Sequence, residues 1–233
     1  MRTATTVVVT TVIMTDLTSL LRLQTWLSPA FPTGAFAYSH GLEQAVAQKL
    51  VSNRDELQTW LTDLLTTGPG WNDAIILAEA WRRAYKGNAV SEIAELSEAM
   101  SFSKERHLET MAQGEAFLTA AKAWCEPQSI DLAGRAPMPV AVGAIAALNS
   151  VALEQTLAAY LHAYVSNQIQ AALRLISLGQ QNGVEVLASL ELIIIDIVTR
   201  AASSSPDDLG SSTFMADIVS MNHETQKSRI FRS

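Results

Sequence analysis

Apolar side chains recur at the spacing of an α-helix along most of this 233-residue chain, and the alternation that is typical of β-strands is nearly absent. Val7–Val9 is the sole candidate for a strand. Helix-ending residues such as Gly68-Pro69-Gly70 separate the helical stretches, and we find no internal repeat and no domain linker. The pattern predicts an all-α fold, a single compact multi-helix domain of about ten helices that spans residues 16–220.

Side chains that cap helices predict where several of these helices begin. An asparagine followed three residues later by glutamate has the spacing of a capping box, and an asparagine after a helix-breaking glycine can cap the next helix. The candidates are Asn53 with Glu56, Asn72, and Asn182 with Glu185. The last pair predicts one helix of about five turns, which ends before Pro206.

The N-terminal residues are predicted to lie outside the domain. Residues 1–15 contain a short apolar run that threonines interrupt, with no signal-peptide cleavage site, and Thr15-Asp16 is a natural helix entry. We expect this segment to be disordered or to precede the native start, which the sequence leaves open between Met1 and Met14. No segment has the length and uniform apolar character of a membrane span, so we expect a cytoplasmic protein that does not enter membranes.

The composition argues against two classes of protein. A net charge of −7 leaves no broad basic face for nucleic acid. Cys125 is the only cysteine, which excludes an internal disulfide and a cysteine metal cluster. The chain is 48% hydrophobic and only 17% charged, as expected of an oligomer or of a member of an obligate complex; an alanine- and leucine-rich helical protein is the alternative.

The segment Ser28–Glu43 is unusual between two helical stretches because it contains two prolines, two glycines and three aromatic residues. Proline fixes φ and glycine permits positive φ, so the backbone path is tightly specified. Phe31, Phe36 and Tyr38 are costly to leave in water unless they pack inside or meet a partner. The segment therefore favours a role in shape and contact.

The C-terminal residues form the second unusual segment. A short helical pattern that begins near Phe214 is followed by a tail with three basic residues on an acidic protein, and Ile230 and Phe231 are its apolar anchors. Such a tail can simply be frayed, or it can be a segment that becomes ordered on binding.

The titratable residues provide no catalytic constellation. The sequence contains no nucleophile with a base, no carboxylate pair at catalytic spacing and no phosphate loop, so we expect no enzymatic activity. His107 is expected to be solvated on a charged face, and His162 to be a hydrogen-bonded core residue. Arg174 has two possible roles. Its charge can stabilise the negative C-terminal end of its own helix, or its guanidinium can donate forked hydrogen bonds at an interface.

A metal site has only weak candidates. His40 and Glu43 lie at i and i+3, a spacing at which two side chains can hold a metal ion, and His223 is a further candidate. Two ligands make a weak site, and a structural or interface role fits His40 better. A nickel-binding helical metalloprotein that uses His40, Glu43 and His223 remains the alternative hypothesis.

Both unusual segments resemble signatures of the urease accessory protein F (UreF) family. Ser28–Glu43 is similar to the family pattern Phe-Pro-Thr/Ile-Gly-Gly/Ser-Phe/Tyr-x-His/Tyr-Ser-x-Gly-Leu-Glu, and Met221–Ser233 to its C-terminal Met-x-His-Glu-x-x-x-Ser-Arg-Leu/Ile-Phe-x-Ser. The runs 139–143 and 166–180 also match, and the resemblance covers residues 17–233. Departures from the pattern, which concern partner affinity, are Ala35, Asn222 and Lys227.

The resemblance implies a non-enzymatic, cofactor-free urease accessory protein that forms a homodimer. It implies binding of UreD (also called UreH), recruitment of the GTPase UreG, and nickel insertion into apo-urease that is coupled to GTP hydrolysis, with a role in modulating UreG. We further expect the tail, 221–233, to be flexible and to become ordered on partner binding, against the 28–43 region or a neighbouring helix. The partner-binding residues that it indicates are Phe36, Tyr38, His40, Glu43, Arg174, His223, Glu224, Arg229 and Phe231. Among these, Phe36 matches a partner-facing aromatic, Arg229 a tail arginine that rearranges when UreH binds, and Arg174 a basic residue tied to recruiting UreG.

Overall fold

The structure is a computed structural model that describes residues 17–125 and 134–233. All regular secondary structure in these two ranges is helical, so the predicted all-α fold is confirmed. The strand candidate Val7–Val9 and the predicted N-terminal extension, 1–15, lie outside the described residues. Within the same ranges, no helix combines the length and the apolar character that crossing a membrane requires.

The α-helices follow one another with short connections, and two 3-10 turns occur among them. In chain order they are α1 (17–26), η1 (Ala35–Ala37), α2 (Leu42–Ala47), α3 (Arg54–Thr67), α4 (Pro69–Tyr85), α5 (Ser91–Ala99), α6 (Lys104–Ala121), α7 (Met138–Leu148), α8 (Leu153–Leu175), α9 (Gln180–Ser189), α10 (Glu191–Ala201), η2 (Pro206–Asp208) and α11 (Phe214–His223).

Helices α4 and α7 form the centre of the domain. Residues 139–147 of α7 are all buried, as expected of a helix that is apolar on every side. The two helices approach closely at Gly143, where a Cβ atom would lie 2.4 Å from the carbonyl oxygen of Leu77. Helix α6 also packs against α7, and α8 packs along α4 and α10. The short helices α2 and α11 contact each other, and α11 also contacts α6.

The predicted cap at Asn53 is confirmed in part. Its side-chain oxygen accepts hydrogen bonds from the backbone N–H groups of Asp55 and Glu56, at 3.1 and 3.0 Å. Glu56 does not return the bond to Asn53, because its carboxylate instead accepts the N–H and the hydroxyl of Ser52. Asn53 is therefore an N-cap residue without the reciprocal half of a capping box.

The prediction that Asn72 caps a helix is wrong. Helix α4 begins three residues earlier at Pro69, whose fixed φ suits the first position of a helix and whose missing N–H is not needed there. Asn72 lies inside the helix and is buried, and its side-chain oxygen accepts the backbone N–H of Gly210 at 3.0 Å.

The predicted capping box of Asn182 with Glu185 is also wrong, and the single long helix expected there is divided into α9 and α10. The N-cap of α9 is Gly179, and the division falls at Leu190, which is completely buried. The Glu185 side chain instead accepts hydrogen bonds from Arg54 and Gln181, at 3.1 and 3.3 Å.

Candidate partner-binding surface

The segment Ser28–Glu43 places its three aromatic side chains in different environments. Phe31 is buried against Phe117, with 5.6 Å between the ring centres, and Tyr38 is also buried. Phe36, on η1, is 68% exposed. Two of the aromatics therefore anchor the segment to the core, and Phe36 is the one that is available to a partner.

Positive φ angles shape the end of this segment. Gly41 has φ 79°, and His40 before it has φ 54°. A Cβ atom on Gly41 would lie 3.0 Å from Cα of Ser220, on α11. Glycine thus permits both the turn into α2 and the close approach of α11.

The C-terminal tail lies against this segment. The N–H of Arg232 donates to the carbonyl oxygen of Ala37 at 2.8 Å, and the N–H of Ser39 donates to that of Ser233 at 2.7 Å. The Phe231 side chain, just before these two residues, is buried. In the structure of this single chain, the tail is therefore packed on the domain, which is not the arrangement expected of a tail that becomes ordered only on partner binding. Its mobility in solution stays a prediction.

Glu43 contacts the tail at three points. Its carboxylate accepts the backbone N–H groups of Ile230 and Phe231 at 2.7 and 2.9 Å, and it lies 3.2 Å from Nε2 of His223. Glu43 is only 5% exposed. A buried carboxylate needs such partners, because an unpaired charge in the protein interior is strongly unfavourable.

Glu105, on α6, binds His223 as well and also Arg229. One carboxylate oxygen lies 2.7 Å from Nδ1 of His223, and the other accepts a hydrogen bond from Nη1 of Arg229 at 2.7 Å. We call Glu43, Glu105, His223 and Arg229 the tail cluster. The cluster attaches the tail to both α2 and α6.

A second buried network lies beside the tail cluster. Glu109 lies 2.9 Å from Nε2 of His40 and accepts the hydroxyl of Ser233 at the same distance. Arg106 lies 3.0 Å from Nδ1 of His40 and donates to Asp73 at 2.8 Å. The second network thus joins the signature segment, α4, α6 and the last residue of the tail.

Electrostatics fix the charge states in this second network. Burial alone raises the pKa of the Glu109 carboxyl, but His40 and Arg106 outweigh it and hold that pKa below its ordinary value. Burial lowers the pKa of the Arg106 guanidinium, while Asp73 and Glu109 raise it by more. Burial beside Asp73 raises the pKa of the Tyr160 hydroxyl well above its usual range, so it remains a donor to that carboxylate.

Neither histidine of the metal hypothesis has a free ring nitrogen in this arrangement. Both nitrogens of His223 face carboxylates, and those of His40 face Glu109 and Arg106. Over 17–125 and 134–233, no group of three or more histidine, cysteine, aspartate or glutamate side chains has the geometry to hold a metal ion. The geometry therefore gives no support to a nickel site at His40, Glu43 and His223.

Three of the predicted partner-binding residues meet at the surface. The guanidinium carbon of Arg174, in the last turn of α8, lies 4.4 Å from the ring centre of Phe231. Its Nη1 donates to the carbonyl oxygen of Phe36 at 3.4 Å. An exposed aromatic, an exposed arginine and the anchored tail thus form one continuous surface, which we call the joint surface.

A cavity of about 510 Å³ opens beside the joint surface, between the signature segment and α8. Its lining includes Phe36, His40, Asn167 and Arg174. His162, which was expected to be a core residue, is exposed at its rim, so that prediction is wrong. His162 lines both this cavity and the groove between α1 and α8, where its side chain is exposed.

A neighbouring groove of about 490 Å³ runs between α1 and α8. Small side chains such as Ala158, Ala159 and Ala163 line it on the α8 side. Helix α1 contributes Leu20 to the lining, and Leu17, Leu20 and Leu21 of this helix are each at least half exposed. Three exposed leucines on one helix form an unusual apolar ridge.

The predicted partner-binding residues therefore divide into three groups. Phe36, Arg174 and Arg229 are exposed, whereas Tyr38, Glu43, His223 and Phe231 are buried. His40 and Glu224 are partly buried, and the Glu224 carboxylate accepts the N–H of Lys104 at the start of α6.

Sequence reasoning missed the carboxylates and the arginine of α6 that bind these residues. Arg106 and Glu109 flank His107, which the sequence predicts to be solvated on a charged face, yet Glu109 is completely buried. Glu105 and Glu109, at i and i+4, lie on one side of the helix, and the same spacing also occurs on helix faces that are exposed to solvent. The tail and His40, both distant in the chain, cover this side of the helix.

Comparisons with known proteins match nearly the whole chain. A model of the family described as UreF matches residues 51–191. A protein of Brucella anthropi named urease accessory protein UreF 1 is 48% identical over 226 residues, which cover 97% of this chain and 99% of that one. Proteins named urease accessory protein UreF from Brucella ovis and Mesorhizobium japonicum are 52% and 50% identical. These two alignments cover 93% and 94% of this chain, and 95% and 100% of the relatives.

Proposed function

The chain belongs to the UreF family of urease accessory proteins, and from this premise we propose that it is an adaptor in the insertion of nickel into urease. Members of this family are accessory proteins and not enzymes. In the proposed role the chain binds UreD, also called UreH, and brings the GTPase UreG to apo-urease in the cytoplasm. Nickel is then the cargo of the assembly, and the chain itself needs no cofactor.

The observation that carries the proposal is the joint surface. The signature segment and the tail meet there beside the end of α8, and Phe36 and Arg174 are exposed next to the anchored tail. Arg229 is a further exposed residue of the same tail. Aromatic and arginine side chains contribute most of the binding energy in many protein interfaces. We assign this surface to UreD, with the buried members of the tail cluster setting its shape.

Arg174 is proposed to take part in recruiting UreG. It is exposed, and its planar guanidinium can form forked hydrogen bonds with a carboxylate or a phosphate. Its present contacts with Phe231 and Phe36 link it to both segments of the joint surface. A change in the tail would thus reach Arg174 directly, which is how UreD binding would influence UreG and its GTP hydrolysis.

The tail is proposed to change conformation when UreD binds. Since residues 221–233 are already packed in the single chain, the partner would rearrange a docked tail rather than order a free one. Arg229 is the residue best placed to move, because its side chain is 38% exposed and makes one short ion pair, with Glu105.

We also propose that the chain forms a homodimer through α1 and α8. The leucine ridge of α1 and the alanine-lined groove of α8 can be reciprocal contacts in a two-fold dimer, in which each copy supplies both halves. Light scattering on the purified chain should give twice the monomer mass. The Ala159→Glu variant should give the monomer mass, and Ile195→Glu, a charge on exposed α10, should leave the dimer intact.

Co-purification tests the adaptor role. Wild-type chain co-expressed with UreD and UreG should capture both proteins, and the Arg229→Ala variant should lose UreG. The matched control is Lys227→Ala, which removes an exposed cation from the same tail. Full UreG recruitment by Arg229→Ala would contradict the role of the tail, and failure of the wild type to capture UreD would contradict the proposed function.

Equilibrium dialysis with Ni²⁺ separates this proposal from the metalloprotein hypothesis. The isolated chain should retain no stoichiometric nickel. One nickel per chain, lost in the His223→Gln variant, would favour the alternative.

A further inference from the structure

The cavity between the signature segment and α8 has two unlike walls. Its volume of about 510 Å³ falls within the range of ligand-binding pockets, about 300–1,000 Å³. The signature segment contributes a mainly apolar wall, from Pro29, Ala35 and Phe36. Helix α8 contributes a row of polar side chains that are four residues apart. The members of this polar row are His162, Ser166, Gln170 and Arg174.

Charge distinguishes the cavity from the chain as a whole, whose net charge is −7. Two arginines and two histidines line the cavity, and no aspartate or glutamate occurs among its described lining residues. Two of these basic residues, His40 and Arg106, already contact carboxylates of the second network. The contacts of Arg174 are with an aromatic ring and a carbonyl oxygen, and no carboxylate of the described residues forms an ion pair with it. The charge of Arg174 is therefore available to an anionic group.

The spacing of the polar row matches the repeat of an extended chain. Four residues of an α-helix rise about 6 Å, and two residues of a β-strand span about 6.6 Å. The backbone N–H and C=O groups on one edge of a strand recur at that second interval. Because a serine hydroxyl and a glutamine amide both donate and accept hydrogen bonds, Ser166 and Gln170 can pair with such an edge. A helical ligand has no need of the row, since its backbone groups are paired within the helix.

We propose that the cavity receives an extended segment of UreD that contains an aspartate or a glutamate. The backbone of the segment pairs with Ser166 and Gln170, its apolar side chains contact the wall of the signature segment, and its carboxylate binds Arg174. The polar row is about 18 Å long, which corresponds to about five or six residues of extended chain. This inference rests on the proposed function, because the cavity continues the joint surface that is assigned to UreD.

Charge substitutions at Gln170 test the proposed carboxylate. Gln170 is exposed, so the fold should tolerate a charge there. Gln170→Glu places a carboxylate one turn before Arg174, where it repels the segment, and should raise the Kd for purified UreD about tenfold or more. Gln170→Lys should bind UreD at least as tightly as the wild type. The control is Gln48→Glu, the same change at an exposed residue after α2, which should leave the Kd within about twofold.

The outcomes separate this inference from the proposed function. Failure of the wild type to bind UreD would contradict both. If Phe36→Ala weakens binding while Gln170→Glu leaves the Kd unchanged, the joint surface stands and the cavity site is overturned. Weaker binding by Gln170→Lys would contradict an acidic segment.

Photo-crosslinking identifies the occupant directly. A benzoyl-phenylalanine in place of Gln170, irradiated in the complex with UreD, should link to one UreD segment that contains an acidic residue, as mass spectrometry of the digest will show. Changing that acidic residue to its amide should weaken binding to the wild type and should remove the penalty of Gln170→Glu, as expected of two groups that interact. A crosslink to a UreD segment without an acidic residue, or no crosslink to UreD in the intact complex, would overturn the proposal.

Discussion

Glu43 and His223 are 180 residues apart in the chain and 3.2 Å apart in the structure. The same carboxylate accepts the backbone N–H groups of Ile230 and Phe231. One buried side chain of the signature segment thus holds both the beginning and the end of the tail. The two unusual segments of the sequence are therefore a single structural unit.

Replacing Glu43 with glutamine should destabilise the protein by about 2–3 kcal/mol, because charge-assisted hydrogen bonds to a buried carboxylate are lost while His223 stays buried. Urea unfolding followed by circular dichroism measures this. Glu92→Gln is the control, since that side chain is 81% exposed and its pair with Arg83 should contribute at most about 1 kcal/mol. Equal stability of the Glu43 variant and the wild type would contradict the proposed importance of the contact.

Replacing Gly143 with alanine should lower stability by about 1–3 kcal/mol, because the added methyl group would force α4 and α7 apart at the carbonyl oxygen of Leu77. Thermal unfolding measures the loss of stability, and Gly179→Ala is the control. A Cβ atom at Gly179 would meet no other atom within 4 Å, so that variant should differ from the wild type by no more than about 1 kcal/mol. A fully stable Gly143 variant would mean that the two helices do not approach closely.

The loss of folding stability at acid pH should depend on Glu109. Its pKa in the folded protein lies below the ordinary value of 4.5, so the ionised carboxylate stabilises the fold above that pH. This contribution is lost as the pH falls through the lowered pKa. The Glu109→Gln variant should be less stable at pH 7 and should show a flatter decline below about pH 4.5 in urea midpoints. Glu185→Gln, at an exposed position, should keep the wild-type slope; the same slope in Glu109→Gln would contradict the assignment.

Arg174 should stabilise the docked tail through its contact with the Phe231 ring. Loss of an exposed cation–π contact weakens an interaction by about 0.5–1 kcal/mol, so Arg174→Ala should raise the opening constant of the tail about two- to fivefold. Hydrogen exchange of the amides of Phe231 and Arg232 measures the change. Arg200→Ala removes a similar contact, with Trp71, at another site and should leave the tail unaffected. An unchanged opening constant in Arg174→Ala would show that the ring contact does not hold the tail.

Local signals in the sequence predict the helical fold well, because they act over a few residues. The cap at Asn53 and the breaks at Gly68 and Pro206 lie where the pattern places them. The pattern fails at Asn182, because Glu185 has a partner on a different helix, Arg54, that the local sequence does not contain.

The site is less predictable for the same physical reason. The exposure of Phe36 and the burial of Phe31 depend on which aromatic meets Phe117, a residue far along the chain. Glu105 and Glu109 have the spacing of surface residues, and the folded tail together with His40 covers them. Composition and motifs thus indicate a contact surface, while the division into contacting and supporting residues requires the structure.

The affinity of purified UreD for the chain and for its Phe36→Ala variant tests the central claim most directly. Phe36 is exposed at the joint surface, and truncation of a central aromatic anchor should weaken binding by about tenfold or more. Leu192→Ala is the control, because that side chain is 79% exposed on α10 and should leave the Kd within about twofold. An unchanged Kd for Phe36→Ala, measured by calorimetry, would contradict the assignment of the joint surface to UreD.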